Sequence, residues 1–171
     1  MRLALLALIL FASCKNDPDI VVHYNSDLEH PSEKITDAEI IHTENGAIKL
    51  KIVANTINRY EKSSDNLVDF EDIIVTFYNN NVQSSRLVAD LAYIDNDNIM
   101  TVKKNVVLSN KINVLETNKL IWDEESKIIF TNDSVKITSK EEVIFGQGFT
   151  SNSDFTEYSI KNINGIISIV D

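Results

Sequence analysis

The residue types that most often bind metals are few in this chain of 171 residues, and their spacing is unfavourable. The three histidines, His23, His30 and His42, have no cysteine or second histidine at the short spacings of metal sites. Asp95-Asn-Asp-Asn98 matches the start of a calcium loop, but Met100 replaces the required glycine and no glutamate closes the loop. We therefore predict no metal site, and a hairpin turn at this tetrapeptide.

Carboxylates and serines are the remaining candidates for catalysis. Asp65, Asp69, Glu71 and Asp72 form an acidic cluster that could bind a cation or act as acid and base, although we favour a solvated or partner-facing edge. No serine lies in a nucleophile elbow. Gly146-Gln-Gly148 lacks the following helix of a phosphate-binding loop and instead predicts a bulge or tight bend. The sequence predicts no catalytic residue and no cofactor, and we expect the protein not to be an enzyme.

The position of the only cysteine, Cys14, predicts a specific chemical modification of the chain. A basic start and an apolar run over residues 3–11 precede it, which describes a secretory signal whose cleavage leaves Cys14 at the new N-terminus. The run is shorter than the roughly 20 residues of a transmembrane helix. Phe11-Ala-Ser-Cys14 resembles the lipobox of bacterial lipoproteins, which implies acylation and a membrane anchor. The alternative is an ordinary signal peptide that contains a cysteine.

The charge and composition of the chain after signal cleavage indicate its partners and its domain organisation. Loss of Arg2 with the signal lowers 16 basic residues to 15, against 26 acidic residues, so the net charge becomes −11. Such a charge disfavours nucleic acid and anionic membrane surfaces as partners. Both prolines, Pro18 and Pro31, lie between residues 14 and 34, which we interpret as a flexible tether after a signal peptide at 1–13. Residues 35–171 then form one domain.

From residue 38 onward the sequence predicts strands and turns rather than helices. Ile, Val, Thr, Phe and Tyr are enriched, and Asn and Asp stand at the breaks. Residues 46–54 alternate between apolar and charged side chains, which is typical of a sheet with one wet face. We expect further strands at 67–78, 85–94, 99–109, 112–122, 127–138, 143–150 and 156–169, and turns at 79–81, 95–98, 110, 124–126, 139–141 and 164–165.

A unit of strand, turn and longer strand occurs twice. The first strand of each copy ends in a similar segment, residues 91–95 in one copy and 119–123 in the other. The aspartates that close these segments, Asp95 and Asp123, lie 28 residues apart. The later valines, Val106 and Val135, are offset by 29 residues. Repetition of a hairpin unit extends a core by stacking.

In order and spacing, these segments resemble the LptC family and its OstA-like relatives, the periplasmic bridge components of lipopolysaccharide export. The segments that carry the resemblance are 46–50, 87–93, 106–108, 115–123, 135–137 and 146–149. The resemblance covers residues 35–170 and implies an all-β fold, an antiparallel, twisted and open β-jelly roll of V shape with two facing sheets. The chain departs from the many family members that have an N-terminal transmembrane helix, because an acylated cysteine is expected here.

The resemblance also implies a function and partners. Lipopolysaccharide would be accepted from the inner-membrane ABC transporter and passed on without chemistry, which contributes to outer-membrane assembly. The sheet edges would dock on the periplasmic domains of LptF and LptG and on an LptA-like protein. We accordingly expect a periplasmic protein that is lipid-anchored to the inner membrane.

Twelve large apolar residues are candidates for a groove that holds the lipid A acyl chains. They are Ile48, Leu50, Ile52, Phe70, Phe77, Tyr93, Leu108, Trp122, Phe130, Ile137, Phe145 and Phe149. Removing acyl surface from water in such a groove stabilises the complex by roughly 25 cal/mol per Å². For any single residue, a plain core position is the alternative.

A second hypothesis belongs to a different functional class. A surface-exposed β-sandwich lipoprotein that binds a glycan or a protein partner would also fit the acidic composition. A continuous apolar trough that is open at both ends would favour the carrier. A sealed core with a binding site on loops would favour the second hypothesis.

Overall fold

A computed structural model of the chain describes residues 31–61 and 66–169, which form nine antiparallel strands and no helix. The strands are β1 (Glu33–Glu44), β2 (Ala47–Arg59), β3 (Asn66–Asn79), β4 (Val82–Asp95), β5 (Ile99–Ser109), β6 (Val114–Asp123), β7 (Ile128–Thr138), β8 (Glu142–Asn152) and β9 (Tyr158–Ser168). Each strand pairs with the next along the chain, so the order in the single sheet is β1 to β9. The predicted all-β, antiparallel class is confirmed.

Short turns connect the strands largely where the sequence predicts them. The β4–β5 turn contains Asp95, whose Oδ1 accepts hydrogen bonds from the backbone N–H groups of Asp97 and Ile99, each at 3.0 Å. This carboxylate therefore binds its own backbone, as expected of an Asx turn. The predicted hairpin turn at Asp95-Asn-Asp-Asn98 is confirmed.

Two local features differ from the sequence analysis. The first strand delimited from the sequence begins at residue 46, although strand-like composition starts at residue 38, and the structure adds β1 (Glu33–Glu44), which pairs with β2 along its length. Only Ala38 of β1 is buried, so this edge strand lacks the apolar alternation that identifies the others. Asn164-Gly165 is not a turn, because β9 runs through it. The register there changes from Phe145 opposite Gly165 to Gly146 opposite Ile163, so this Asn-Gly pair accompanies a bulge.

One face of the sheet forms a continuous core. Buried apolar residues extend from Ala38 on β1 to Phe155 after β8. Ile73, Leu108 and Ile129 in this core have no exposed surface. The opposite face is mostly half-buried or exposed, with buried threonines such as Thr76 and Thr101 as exceptions.

A row of polar residues, called the polar seam below, crosses the sheet at mid-strand on the face away from the core. Its members occupy opposed positions on β1 to β6: Asp37, Asn55, Asp72, Asp90, Asn105 and Asn118. Asp37, Asp72 and Asn105 have φ angles of 52°, 53° and 49°. Asn and Asp tolerate this left-handed region better than other residues with a side chain. The polar seam therefore marks where each strand departs from regular geometry.

The pairing register shifts at or beside the polar seam in the strand pairs from β4–β5 to β6–β7, and again at mid-strand in β7–β8. In β4 the buried apolar residues are Leu87 and Ala89 before Asp90, and Ala92 after it. A bulge of one residue reverses the alternation, and it also bends the strand and increases its twist. Both halves of β4 therefore keep their apolar side chains on the core face.

Contacts between distant strands show that this face packs against itself. The rings of Phe77 on β3 and Trp122 on β6 have centroids 5.3 Å apart, although β4 and β5 lie between them in the sheet. In a flat sheet these strands would be about 14 Å apart. Beside this contact, Ser85 Oγ on β4 donates to the carbonyl oxygen of Ser153, after β8. The two facing layers are thus parts of one sheet, and β1 does not pair with β9 within the described residues.

Replacing Asn105 by Val tests whether the polar seam needs left-handed backbone. A β-branched residue is strained at this φ, and the hydrogen bond from Asn105 Nδ2 to Asp90 Oδ2, at 2.7 Å, is lost. We expect the free energy of unfolding, measured by chemical denaturation, to fall by about 1–3 kcal/mol.

Asn118→Val is the matched control, because Asn118 is exposed in the same seam but has no positive φ. We expect its free energy of unfolding to stay within about 0.5 kcal/mol of the wild-type value. Equal losses in the two variants would contradict the role assigned to left-handed backbone.

Candidate functional site

A cleft of about 300 Å³, called the end cleft below, opens between the two layers of the sheet. Its floor is apolar and consists of Leu50, Phe77 and Trp122. Its rim is polar and includes Glu44, Lys49, Glu124, Lys127 and Asp154, which come from strand ends and turns. An apolar floor with a few polar groups around it is typical of a small-molecule site.

The strand registers bring the floor residues together. Leu50 lies directly opposite Phe77 in the β2–β3 pair, and Trp122 lies between Met100 of β5 and Ile129 of β7. The rings of Phe77 and Trp122 meet edge to face, with an interplanar angle of 84°. Such an aromatic pair contributes about 0.5–1.5 kcal/mol beyond its buried area. The end cleft therefore lies where one aromatic contact joins the two layers.

The Trp122 indole contains an unpaired donor. The side chain is 7% exposed, and Nε1 has no hydrogen-bond partner among the described residues. Leaving a buried N–H donor unpaired costs about 1–3 kcal/mol. The floor of the end cleft thus combines apolar surface with one buried donor that lacks an acceptor.

The β6–β7 turn brings Glu124 and Lys127 to the rim. Asp123 orders this turn, because its Oδ1 accepts from the backbone N–H groups of Glu125 at 3.0 Å and Ser126 at 3.2 Å. Hydrogen bonds from the Ser126 side chain, and then from these backbone groups, hold the pKa of Asp123 below its ordinary value. The rim is therefore built on a turn that a local carboxylate fixes.

The β8–β9 turn closes the layers beside the end cleft. Phe155 in this turn is fully buried despite a φ of 54°, and its ring lies 5.7 Å from that of Phe149. Its carbonyl oxygen accepts from Asn110 Nδ2 at 2.6 Å. Asp154 Oδ2 in the same turn accepts from Asn79 Nδ2 at 3.0 Å. Aromatic packing on Phe149 and hydrogen bonds from Asn110 and Asn79 hold this closure.

The structure places most of the predicted groove residues on the core face. Eight of them belong to the buried core cluster: Leu50, Ile52, Phe70, Phe77, Leu108, Trp122, Ile137 and Phe149. Ile48 is half-buried and shares the core face of β2 by alternation with Leu50. Only Leu50, Phe77 and Trp122 of the predicted set line the end cleft. The other members of the predicted set lie outside the lining of the end cleft.

Tyr93 lies on the opposite face because the bulge in β4 reverses the alternation that Leu87 and Ala89 begin. There it contacts Lys103, whose Nζ lies 4.7 Å from the ring centroid. A hydrogen bond with Thr101, and then the proximity of Lys103, lower the pKa of Tyr93. Tyr93 is therefore outside the core.

Phe130 and Phe145 also lie away from the core. Each follows a buried isoleucine, Ile129 or Ile144, within a continuous apolar run. Because successive side chains in a strand point to opposite faces, burial of the isoleucine directs the phenylalanine outward. Continuous apolar runs do not reveal from sequence which residue points inward.

The acidic cluster is the part of the sequence that we considered as a possible cation site. Asp65 lies outside the described residues, whereas Asp69, Glu71 and Asp72 lie on β3. Among residues 31–61 and 66–169, no group of three or more His, Cys, Asp or Glu side chains could hold a metal ion. This part of the chain also contains no helix that could cross a membrane.

The two edges of the sheet expose apolar side chains that the sequence analysis did not identify. Ile40 and Ile41 are exposed on β1, and Ile166 and Ile167 are exposed on β9. Within the described residues, neither strand has a partner on its outer side. Natural sheets usually protect such edges. The signal in the sequence is a pair of adjacent isoleucines within a strand that is otherwise exposed.

The chain matches the family model described as "Lipopolysaccharide-assembly, LptC-related" over residues 3–165. This match covers nearly the whole sequence and reaches from before β1 into β9. No curated protein sequence matches the chain.

Replacing Gly146 by Ala tests how closely the β9 edge strand is held. An added Cβ would collide with Ile160 Cγ2 and would lie 2.9 Å from the Asn162 carbonyl oxygen, so β9 has to move. We expect the free energy of unfolding to fall by about 1–3 kcal/mol, and the amide hydrogens of β9 to exchange faster.

Gly165→Ala is the control on the same strand pair. Its added Cβ would meet Phe145 at 3.7 Å, which is an ordinary contact. We expect a change within about 0.5 kcal/mol and unaltered exchange in β9. Normal β9 exchange in Gly146→Ala would show that the strand is less tightly packed than the structure indicates.

Proposed function

The chain belongs to the LptC-related family of lipopolysaccharide-assembly proteins, and we propose that it accepts lipopolysaccharide from an inner-membrane ABC transporter and passes it to an LptA-like protein. Family membership assigns it a role in lipopolysaccharide transport in the periplasm. The observation that best supports the finer proposal is the end cleft, whose apolar floor leads into the core between two layers of one sheet. Such a site can hold an acyl chain without chemical change.

Acyl chains would enter by separating the layers. Since β1 and β9 are not paired with each other in the described structure, separation breaks no backbone ladder between them. It disrupts side-chain packing such as that of Phe77 on Trp122, and cross-layer hydrogen bonds such as that of Ser85 with Ser153. Burial of each acyl methylene contributes roughly 0.8 kcal/mol and offsets these losses. The end cleft is the proposed starting point, because there core residues already meet open space.

The core face defines the proposed lipid contacts. Beyond the floor of the end cleft, they are the remaining members of the predicted set on this face: Ile48, Ile52, Phe70, Leu108, Ile137 and Phe149. Tyr93, Phe130 and Phe145 are left out of this set because they face away from the core.

The free edges provide the proposed partner surfaces. Edge strands expose unpaired N–H and C=O groups that a partner strand can join by augmentation. We propose that one edge joins the periplasmic domain of LptF or LptG and that the other joins the LptA-like protein. The exposed isoleucines on β1 and β9 would add apolar contact at both junctions.

A second candidate function is a surface-exposed β-sandwich lipoprotein that binds a glycan or a protein. The buried apolar cluster from Ala38 to Phe155 favours it, because a binding module needs a stable core and uses its loops for recognition. The two candidates differ in whether lipid ever reaches the core face.

Photo-crosslinking in cells separates them. A photoreactive amino acid at Phe77, on the floor of the end cleft, should form adducts with lipopolysaccharide. The same amino acid at Phe145, which is 37% exposed on the other face, should form far fewer. Immunoblotting for lipopolysaccharide on the purified protein measures both. Equal labelling at the two positions, or no labelling at Phe77, would support the second candidate.

The membrane anchor is a separate part of the proposal. Cys14 lies outside the described residues, and we propose that it is acylated and holds the protein on the inner membrane. Replacing residues 1–14 by a signal peptide that is cleaved without lipidation should move the protein from the inner-membrane fraction to the soluble periplasmic fraction, because the acyl chains provide the membrane affinity. Fractionation and immunoblotting measure this. Retention of this variant in the membrane fraction would exclude acylation of Cys14 as the anchor.

A further inference from the structure

We propose that the end cleft recognises the carbonyl group at the head of an acyl chain, and that Trp122 Nε1 donates the hydrogen bond to it. This inference rests on the proposed function and specifies the ligand chemistry of its entry site. An ester and an amide carbonyl share this chemistry.

The donor is already fixed in place without a protein acceptor. Phe77 packs against the Trp122 ring, and Met100 and Ile129 lie opposite it on the neighbouring strands. Nε1 is buried and has no partner within the described part of the chain. An oxygen of a ligand would reach this atom once the layers part at the end cleft, and would then accept its hydrogen bond.

The charges around the end cleft favour a neutral acceptor. Two lysines on the rim, Lys49 and Lys127, stand against three carboxylates, those of Glu44, Glu124 and Asp154, so these five groups sum to −1. Glu44 already forms an ion pair with Lys49 at 3.7 Å. A ligand carboxylate or phosphate would meet a slightly negative rim, whereas a carbonyl oxygen accepts a hydrogen bond without adding charge.

The size and floor of the end cleft fit one chain. Its volume of about 300 Å³ is at the lower end of ligand pockets in proteins. Leu50 and Phe77 form the apolar surface beside the indole. An acyl chain would lie on these residues, with its carbonyl at Trp122 and its polar head at the rim.

The first experiment uses Trp122 as its own reporter, because it is the only tryptophan in the chain. The mature chain, exported with a signal peptide that is cleaved without lipidation and purified from the periplasm, gives one indole N–H signal in a proton–nitrogen NMR spectrum. It is titrated with dodecanoyl sucrose, which has an ester carbonyl, and with dodecyl maltoside, which has an ether oxygen, both below micelle formation. We expect a saturable downfield shift of the indole proton with the ester and a clearly smaller shift with the ether.

The second experiment measures affinity by calorimetry. We expect the wild-type residue at 122 to favour the ester over the ether by about fivefold, the size of one hydrogen bond. Trp122→Phe keeps an aromatic ring and removes the donor, so its preference should fall below twofold. Phe77→Leu keeps the donor, so the preference should survive even if both affinities fall. Thermal unfolding shows whether each variant is folded. If Trp122→Phe does not fold, the NMR titration of the wild-type residue is the test of the hydrogen bond.

The outcomes separate this inference from the function on which it rests. An unmoved indole signal with bound ester, or a full ester preference in Trp122→Phe, would overturn the role of the carbonyl and leave the carrier proposal standing. Failure of the wild-type protein to bind either amphiphile would contradict both.

Discussion

Several strands of this sheet, among them β2, β3, β4 and β6, change the alternation of their buried residues at mid-length and still keep the apolar side chains of both halves on one face. The polar seam lies where this change occurs. A bulge of one residue restores the inward direction that the bend would otherwise reverse, as Ala89 and Ala92 on either side of Asp90 show. Left-handed backbone at Asp72 and Asn105 provides local departures from strand geometry. Without these irregularities, the apolar half-strands would lie on different faces and no common core would form.

The same bends explain why the site lies between layers. Phe77 and Trp122 come from strands separated by two others, and they meet because the sheet packs on its own core face. The layers remain joined through the continuous ladder from β1 to β9, but β1 and β9 do not close the structure into a barrel within the described residues. Side-chain packing and a few hydrogen bonds, such as that of Ser85 with Ser153, therefore hold the layers together without a backbone ladder between β1 and β9. A fold of this kind can admit an apolar guest by exchanging side-chain contacts for ligand contacts, while its backbone hydrogen bonds stay intact.

The sequence predicts the parts of this fold that depend on local chemistry. Alternating apolar residues indicate β2, and Asn and Asp mark turns such as that at Asp95, because both signals act between near neighbours. The sequence does not reveal the edge strand β1, because both faces of this strand are exposed and its side chains do not alternate between buried and exposed positions. Tyr93 is assigned to the wrong face, because alternation counted from Leu87 does not include the bulge. The contact of Phe77 with Trp122 depends on the bending of whole strands, which no local pattern contains.

The end cleft shows how stability and transport oppose each other in this architecture. Its floor residues belong to the core cluster, so the surface that would bind lipid is also the surface that holds the layers together. Larger side chains in the cleft would improve packing and at the same time remove the entry point for an acyl chain. The unpaired Trp122 donor opposes stability in the same way. Its burial without an acceptor destabilises the empty protein, and a ligand with an acceptor would remove this cost. A carrier that releases its cargo needs such a balance, since layers that packed perfectly would exclude lipid and layers that packed poorly would not fold.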